Sequence, residues 1–573
     1  VILCNIIIMK TGGHLEYMVK YYIAIIVVVF AIFLYNSIQF RKRELEKLRK
    51  KIKEGFGTPP DREYEAAEFE KIAAYYKKNA ENTFSIDDIT WNDLDMDSIF
   101  MLLNNTFSSS GEEYLYKILR TPEFDEEVLK ERDKLATYFQ ENEEETFKIQ
   151  EVFARLGRTK SISLTEFIDR FIGLGKRSNL KHIIMDILLV ASFVMLFIKP
   201  ITGMVMLIVM VFVNIGTYYK EKAEIESYFT CLKYLMDMIN CGNALIKLDN
   251  EGISSYIDTV KSDLDKLKSI SKGIFWISMN GNSGSLGEII MEYIRMLFHA
   301  DIIKFNSVLG ATQSNLGTVE ELFMTFGKLE VGIAIASFRK LLIYTCKPEF
   351  TKEKIVSTDE IYHPMIANPV ANTINENRSI LITGSNASGK STFLKTIAIN
   401  SILAQTIYTC TAKSYKTCFY KLYTSMSLRD NLTNNESYYI VEIKSIKRIL
   451  DSINDEIPTL CFVDEVLRGT NTIERIAASS HILKSLTDKN ALCFAATHDI
   501  ELTNILENIY SNYHFTEDVK DDDVLFSYKL LSGRATSRNA IKLLNIIGFD
   551  KKIVNEAENM ASNFSLNGEW EVL

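Results

Sequence analysis

The stretch Ser379–Thr392, SILITGSNASGKST, constrains this 573-residue chain more than any other. A short apolar run enters G-x-x-x-x-G-K-S, with Gly384, Gly389, Lys390 and Ser391 in place, and FLKTIAINSILAQ follows with helical periodicity. Strand, glycine loop and helix in that order call for a buried parallel strand and a helix N-terminus aimed at an anion. The glycines let backbone N–H groups turn inward toward phosphates. Lys390 supplies a point charge to the terminal phosphates, and the Ser391 hydroxyl suits Mg²⁺. Ser385, Asn386, Ala387, Ser388 and Thr392 complete the candidate nucleotide-binding residues.

Two further apolar runs end in chemistry. Thr459–Glu465 (TLCFVDE) reads as a buried strand closing on two carboxylates. Asp464 would hold the Mg²⁺ and Glu465 would orient and deprotonate an attacking water. Ala491–His498 (ALCFAATH) reads as another buried strand, ending in a histidine suited to sensing the terminal phosphate. Glu465, His498 and Lys390 are therefore the expected catalytic residues, with Ser391 and Asp464 on the metal.

Composition narrows the rest. Hydrophobic residues make 47% and charged residues 24%, enough for a sizeable core and too apolar for wholesale disorder. Only 8 prolines and 26 glycines argue for long helices and against an all-β sandwich or propeller. A net charge of −9 leaves no global basic field for nucleic acid, so any DNA contact needs a local patch. The 8 cysteines include no C-x-x-C pair and the 7 histidines no H-E-x-x-H, which argues against a disulfide framework or a zinc site.

Tyr21–Phe40 (YYIAIIVVVFAIFLYNSIQF) is uncharged and long enough to span a bilayer as a helix. Arg41–Lys53 follows with eight basic residues, which the positive-inside rule puts in the cytoplasm, so an uncleaved anchor is expected. Ile183–Tyr219 is apolar and broken only at Lys199-Pro200, and reads as a transmembrane hairpin turning there. Asp186 would lie at headgroup level. Thr11-Gly12-Gly13 ahead of Met18 could be encoded by a ribosome-binding site, which makes Met18 the expected start.

The expected organisation is an anchor segment (1–40), a cytosolic helical region (41–182), the hairpin (183–219), more helices (220–355) and an α/β domain (356–573). Gly55–Pro60 reads as a linker, Asp61–Asn79 as a charged helix, and Asn280–Leu286 as a break in helical periodicity.

The order of phosphate loop, Asp-Glu strand and His strand resembles the ABC-type ATPase core, whose heads work as dimers with composite sites. Within it, TGSNASGKSTFLK, DEVLRGTNTIE (464–474), ATHDIELTNI and SLRDNLTNNESYYIVEIKSIKRIL resemble MutS, the mismatch-repair ATPase family. Phe326–Pro364 resembles the end of the MutS lever helices and their entry into the ATPase, and DLDMDSIFMLLNNTFSSSGEEYLYKILRTP the start of its helical core. The fold implied is an α/β P-loop ATPase domain behind all-α core and lever helices, here with transmembrane helices. The resemblance implies ATP and Mg²⁺ as cofactors, a homodimer through the heads with Ser437 reaching across it, Tyr528 stacking on adenine, and double-stranded DNA as partner.

The departures matter equally. No segment resembles the aromatic-x-Glu wedge domain that reads mismatches. The signature region reads NNES without a glycine, and Val466-Leu467 stands where the family has Ile-Gly, a mild change in loop flexibility. Two functions are therefore expected to compete: a membrane-anchored ATPase coupling head closure to DNA, in the manner of mismatch repair or DNA-structure sensing, and a MutS-derived motor acting on the bilayer or on a membrane or repair protein.

Overall fold

The computed structural model describes residues 35–40, 42–80, 83–159, 163–268, 270, 293–385, 388–426, 438–520, 523–535, 541, 544, 548–568 and 570–572. Most of the expected anchor (21–34), the break at 280–286, and the site candidates Asn386, Ala387 and Ser437 lie outside them.

Local signals start the helices of the N-terminal half. Ser108 caps Ser109–Arg120 by accepting from Gly111 N, Asp125 caps Glu126–Glu141, and Ser163 caps Leu164–Gly173. The helix expected from Asp61 begins only at Ala66. Residues 61–65 stay extended because they are tied to the core: Arg62 donates to Glu112 at 2.6 Å, and the Tyr64 hydroxyl accepts from Asn104 at 2.8 Å.

Leu180–Ile198 and Pro200–Ile246 form an antiparallel helix pair, with Pro200 at the first position of the second helix. The second helix does not break at residue 219. One helix of 47 residues runs on into the core, about 70 Å at 1.5 Å per residue. Nothing between Thr217 and Asn240 is glycine or proline, so no local signal stops it. Leu180–Ile198 and Pro200–Glu226 are long and apolar enough to cross a membrane.

Leu316–Leu341 is the central helix of the helical half, buried almost throughout from Leu322 to Arg339. It packs on Ser109–Arg120 and Glu126–Glu141. Glu330, buried at its middle, accepts from Phe107 N at 2.6 Å and Ser108 N at 3.1 Å and so satisfies the start of a neighbouring helix.

Ten strands occur among the described residues: β1 Pro348–Phe350, β2 Val356–Ile361, β3 Asn372–Glu376, β4 Ser379–Thr383, β5 Ser414–Thr417, β6 Lys421–Ser425, β7 Thr459–Asp464, β8 Ala491–Thr497, β9 Tyr510–Lys520 and β10 Asp523–Ser532. A small sheet has order β1-β5-β2-β3, and a larger one β10-β9-β4-β8-β7-β6. In the larger sheet β6, β7, β8, β4 and β9 are parallel and β10 closes the edge antiparallel. β4 and β8 are buried along their whole length, as a parallel sheet covered on both faces requires.

Head and helical half share one hydrophobic core, in which Trp91, Phe100 and Leu119 pack with Ile397, Leu403 and Phe462. Polar ties reinforce it. Asp93 accepts from Thr424 Oγ1 at 2.7 Å and Met426 N at 2.9 Å, and Arg339 spans Asp133 (2.7 Å) and Thr409 (2.8 Å).

Candidate nucleotide site

Ligand sites of open parallel sheets form outside the carboxyl ends of the strands. Here β4, β8 and β7 are consecutive neighbours, so their C-terminal ends bring together the loop after Thr383, His498 and Asp464. Residues that lie far apart in the chain converge because the sheet order is 4-8-7.

The loop needs its glycines. Gly384 has φ +152° and Gly389 φ +107°, and a Cβ at Gly384 would stand 2.9 Å from Ser388 Oγ, one at Gly389 3.3 Å from Tyr528 Cδ1. Lys390 opens the helix Lys390–Ile407, is buried, and donates through Nζ to the carbonyls of Gly384 (2.8 Å) and Ser385 (2.7 Å). Its ammonium is thereby held on the inner side of the loop.

The Ser391 hydroxyl donates to Asp464. A hydroxyl and a carboxylate oxygen in contact at the loop's mouth are a hard-donor set that fits Mg²⁺. Burial raises the Asp464 carboxyl above its ordinary value, and the bonds and charges of Ser391 and Lys390 act against that rise.

Glu465 sits at φ +58°, an uncommon conformation that turns the side chain off the strand end. Its Oε1 lies 2.7 Å from His498 Nε2 and its Oε2 3.0 Å from Arg468 Nε. To bond Glu465, His498 must carry its proton on Nε2, which is 3.4 Å from Lys390 Nζ. The hydrogen bond from His498, followed by the charges of His498, Arg468 and Lys390, holds the Glu465 carboxyl below the usual range despite partial burial. A carboxylate kept ionised and aimed into a phosphate site can accept a proton from water. Asp499 follows His498 and is clamped by Arg475 through two bonds of 2.9 and 2.6 Å, which fixes the turn after β8.

A cavity of about 530 Å³ opens beside the loop, lined by Ser385, Ser388, Gly389, Lys390, Ser391 and Thr392 with Glu465, and closed by His363, Asn372, Phe515 and Tyr528. Tyr528 stands beside Gly389 on the cavity wall, and its carbonyl accepts from Asn372. Burial and the nearby Lys395 lower His363 to about 4, so its ring is neutral at neutral pH.

Sequence reasoning missed Glu442. It is buried, and its Oε1 accepts from Arg468 N at 3.1 Å, bracing the loop after Glu465 from the helix Tyr438–Ser452. A signal existed: Glu442 shares the buried stripe of Ser445, Ile446 and Ile449, where an acid needs a partner. Leu467 corrects another expectation. It holds φ +58° and is buried, so a leucine side chain stands on a backbone that favours glycine, at the position where the resembled family has glycine. That replacement carries about 1–2 kcal/mol of strain and is not mild.

With this geometry in hand, comparison with known proteins is specific. Residues 380–565 match the family described as MutS domain V. The DNA mismatch repair protein MutS of Lactobacillus delbrueckii subsp. bulgaricus is 28% identical over 281 residues, 47% of this chain and 32% of that protein. MutS protein homolog 4 of Mus musculus is 30% identical over 305 residues, 49% of this chain and 31% of that protein. The DNA mismatch repair protein MutS of Thermotoga maritima is 29% identical over 277 residues, 46% and 34%. The chain thus spans about a third of the length of these relatives. The matches support the MutS family for this chain and an ATP-binding, MutS-like C-terminal domain.

Proposed function

We propose that this chain is a membrane-tethered MutS-family ATPase, whose heads close on ATP as a dimer and whose helices carry that closure to double-stranded DNA. The observation that carries the reading is the convergence of Lys390, Ser391–Asp464 and Glu465–His498 at adjacent strand ends. Lys390 and the loop amides bind and orient the triphosphate. Glu465 takes a proton from the water that attacks the terminal phosphorus as the bond to the diphosphate breaks, and His498 orients Glu465 and meets the departing charge. Ser391 and Asp464 would hold Mg²⁺, which neutralises charge on the phosphate oxygens. Ser437 is the residue we assign to the partner's site, and Tyr528 the one we assign to the base.

The relatives carry DNA mismatch repair in their names, which supports DNA as partner. The central helix Leu316–Leu341 supports transmission, since Arg339 at its end is bonded to Thr409 just after the loop helix. The membrane reading rests on the outward-facing apolar surface of Leu180–Ile198 and Pro200–Glu226. Because the second of these helices continues into the core, a motor acting on the bilayer or on a protein bound there is the second reading.

Turnover of the full-length protein in detergent, with and without perfect, mismatched and branched duplexes at fixed salt, separates the two. Duplex-dependent turnover supports the first reading; intact turnover indifferent to every duplex removes DNA and leaves the second. Glu465→Gln should lower turnover about 10²–10⁴-fold with ATP binding retained. Unchanged turnover would remove Glu465 as the base.

A further inference from the structure

Cys346 and Cys410 form an isolated antiparallel bridge and exchange both backbone hydrogen bonds. Cys346 N donates to the Cys410 carbonyl at 3.0 Å, and Cys410 N to the Cys346 carbonyl at 2.9 Å. Residues paired in this way hold their Cα atoms about 5.5 Å apart and point their side chains to one face. Disulfides span Cα separations of about 4.4–6.8 Å, so the backbone already stands where a sulfur–sulfur bond needs it. The bridge lies at the seam between the helical half and the head. Cys346 follows the central helix Leu316–Leu341, and Cys410 follows the loop helix Lys390–Ile407.

The two thiols are unequal. Cys346 is partly exposed and Cys410 is buried. A hydrogen bond from the Cys410 thiol, helped by one from the Ala412 amide, holds the Cys346 thiol below its ordinary value against partial burial. Burial, followed by the neighbouring Cys346, pushes the Cys410 thiol up, with Arg339 acting against the rise. Cys410 Sγ also lies 3.8 Å from the Asn400 carbonyl, a second acceptor for its proton. An accessible thiol of lowered pKa beside a second thiol is the arrangement of a redox-sensitive pair. The fold carries its own contrast. Cys461 and Cys493 are register partners on β7 and β8, yet both are completely buried, and their mutual hydrogen bond and burial push the Cys461 thiol up.

We propose that Cys346 and Cys410 are a reversible oxidation site, converted by a peroxide into a disulfide that joins the helical half to the head. The Cys346 thiolate attacks one oxygen of hydrogen peroxide, the O–O bond breaks, and hydroxide leaves and takes a proton to become water. The product is the Cys346 sulfenic acid. The Cys410 sulfur then attacks the Cys346 sulfur, the S–O bond breaks, and hydroxide leaves with the Cys410 proton as a second water. Two thiols are oxidised by two electrons and one peroxide is reduced. Held side by side, the second thiol meets the sulfenic acid faster than a solute can. The site goes beyond the ATPase reading and does not depend on it.

The test treats reduced full-length protein in detergent with hydrogen peroxide, alkylates the remaining thiols and maps the peptides without reduction. The expected product is a peptide pair joined through Cys346 and Cys410, lighter by about 2 Da than the two reduced peptides and released by dithiothreitol. Cys461 and Cys493 should stay reduced. In Cys410→Ser the sulfenic acid has no resolving partner, so labelling of Cys346 by dimedone should rise about tenfold or more over the wild type. In Cys346→Ser, Cys410 should stay reduced. Circular dichroism melting of both variants checks that they fold, and the map of the wild type stands without them. A Cys346 that stays reduced, that links to any other cysteine, or that persists as an oxide while Cys410 is reduced would overturn the site. Oxidation of Cys461 and Cys493 at the same rate would overturn it too, since the reaction would then follow unfolding.

Discussion

The outer and inner parts of the helix Pro200–Ile246 are both rich in large apolar residues and meet opposite fates. Near its start Ile201 is 84% and Phe212 72% exposed, and Phe197 on the paired helix is 79% exposed. Further along, Leu232, Leu235, Met238 and Leu245 are buried in the helical core. The difference lies in the period. The inner part interleaves its apolar residues with Lys233, Asp237 and Asn240, so one stripe is apolar and packs against protein. The outer part is apolar on every side, and the protein covers only one of them. Hydropathy says that a surface must leave water; periodicity says whether one neighbour suffices. A continuous exposed apolar face on this scale marks an interaction surface, here the bilayer we propose.

Substitutions sharpen or break that contrast. Leu235→Ala should destabilise the helical half by about 2–5 kcal/mol, read by denaturation in detergent, because a cavity is left where packing was complete. A change under about 0.5 kcal/mol would mean that the inner part is not a packed core. Phe212→Arg should weaken membrane retention by about 2.5–3.5 kcal/mol, read by alkaline extraction, while turnover in detergent stays as in the wild type. Retention equal to the wild type would place Phe212 outside the hydrocarbon.

The head gives the third arm of the comparison, because its buried acids have polar partners where the hairpin offers few. His498 is the first cause of the lowered Glu465 pKa. Glu465 therefore stays ionised as pH falls below the ordinary glutamate range, so with Glu465 as the base we propose, the acid limb of turnover should lie below that range. His498→Gln should move this limb to higher pH, whatever it does to the maximal rate; an unmoved limb would break the Glu465–His498 link. The smallest effect is expected for Phe212→Ala in detergent, within about 0.5 kcal/mol of wild-type stability, since that side chain touches little protein.

Much of the site could be read from local pattern. The loop 384–391 announces itself through a β-branched run, glycines and a following helical period, and the strands ending at Asp464-Glu465 and before His498 through short apolar runs that close on polar groups. Glu442 and the Asp499–Arg475 clamp escaped because their partners belong to other elements. The start of the helix at Ala66 escaped for the same reason: Arg62 and Tyr64 are held by the core against a locally helical pattern.

What the chain determined by itself is the list of chemical groups and the elements that present them, because strand and helix periods are properties of neighbouring residues. Tertiary structure alone decided which groups meet. Ser391 and Asp464 are 73 residues apart and bond only because β4 and β7 flank the same strand, β8. Leu467 takes a backbone its own side chain disfavours, since the buried core around it and the Glu442 brace on the next amide outweigh a local strain of about 1–2 kcal/mol. Local preference is worth about a kilocalorie per residue, whereas burial of a large side chain and satisfaction of a buried acid are each worth more. Where the two conflict, the fold prevails.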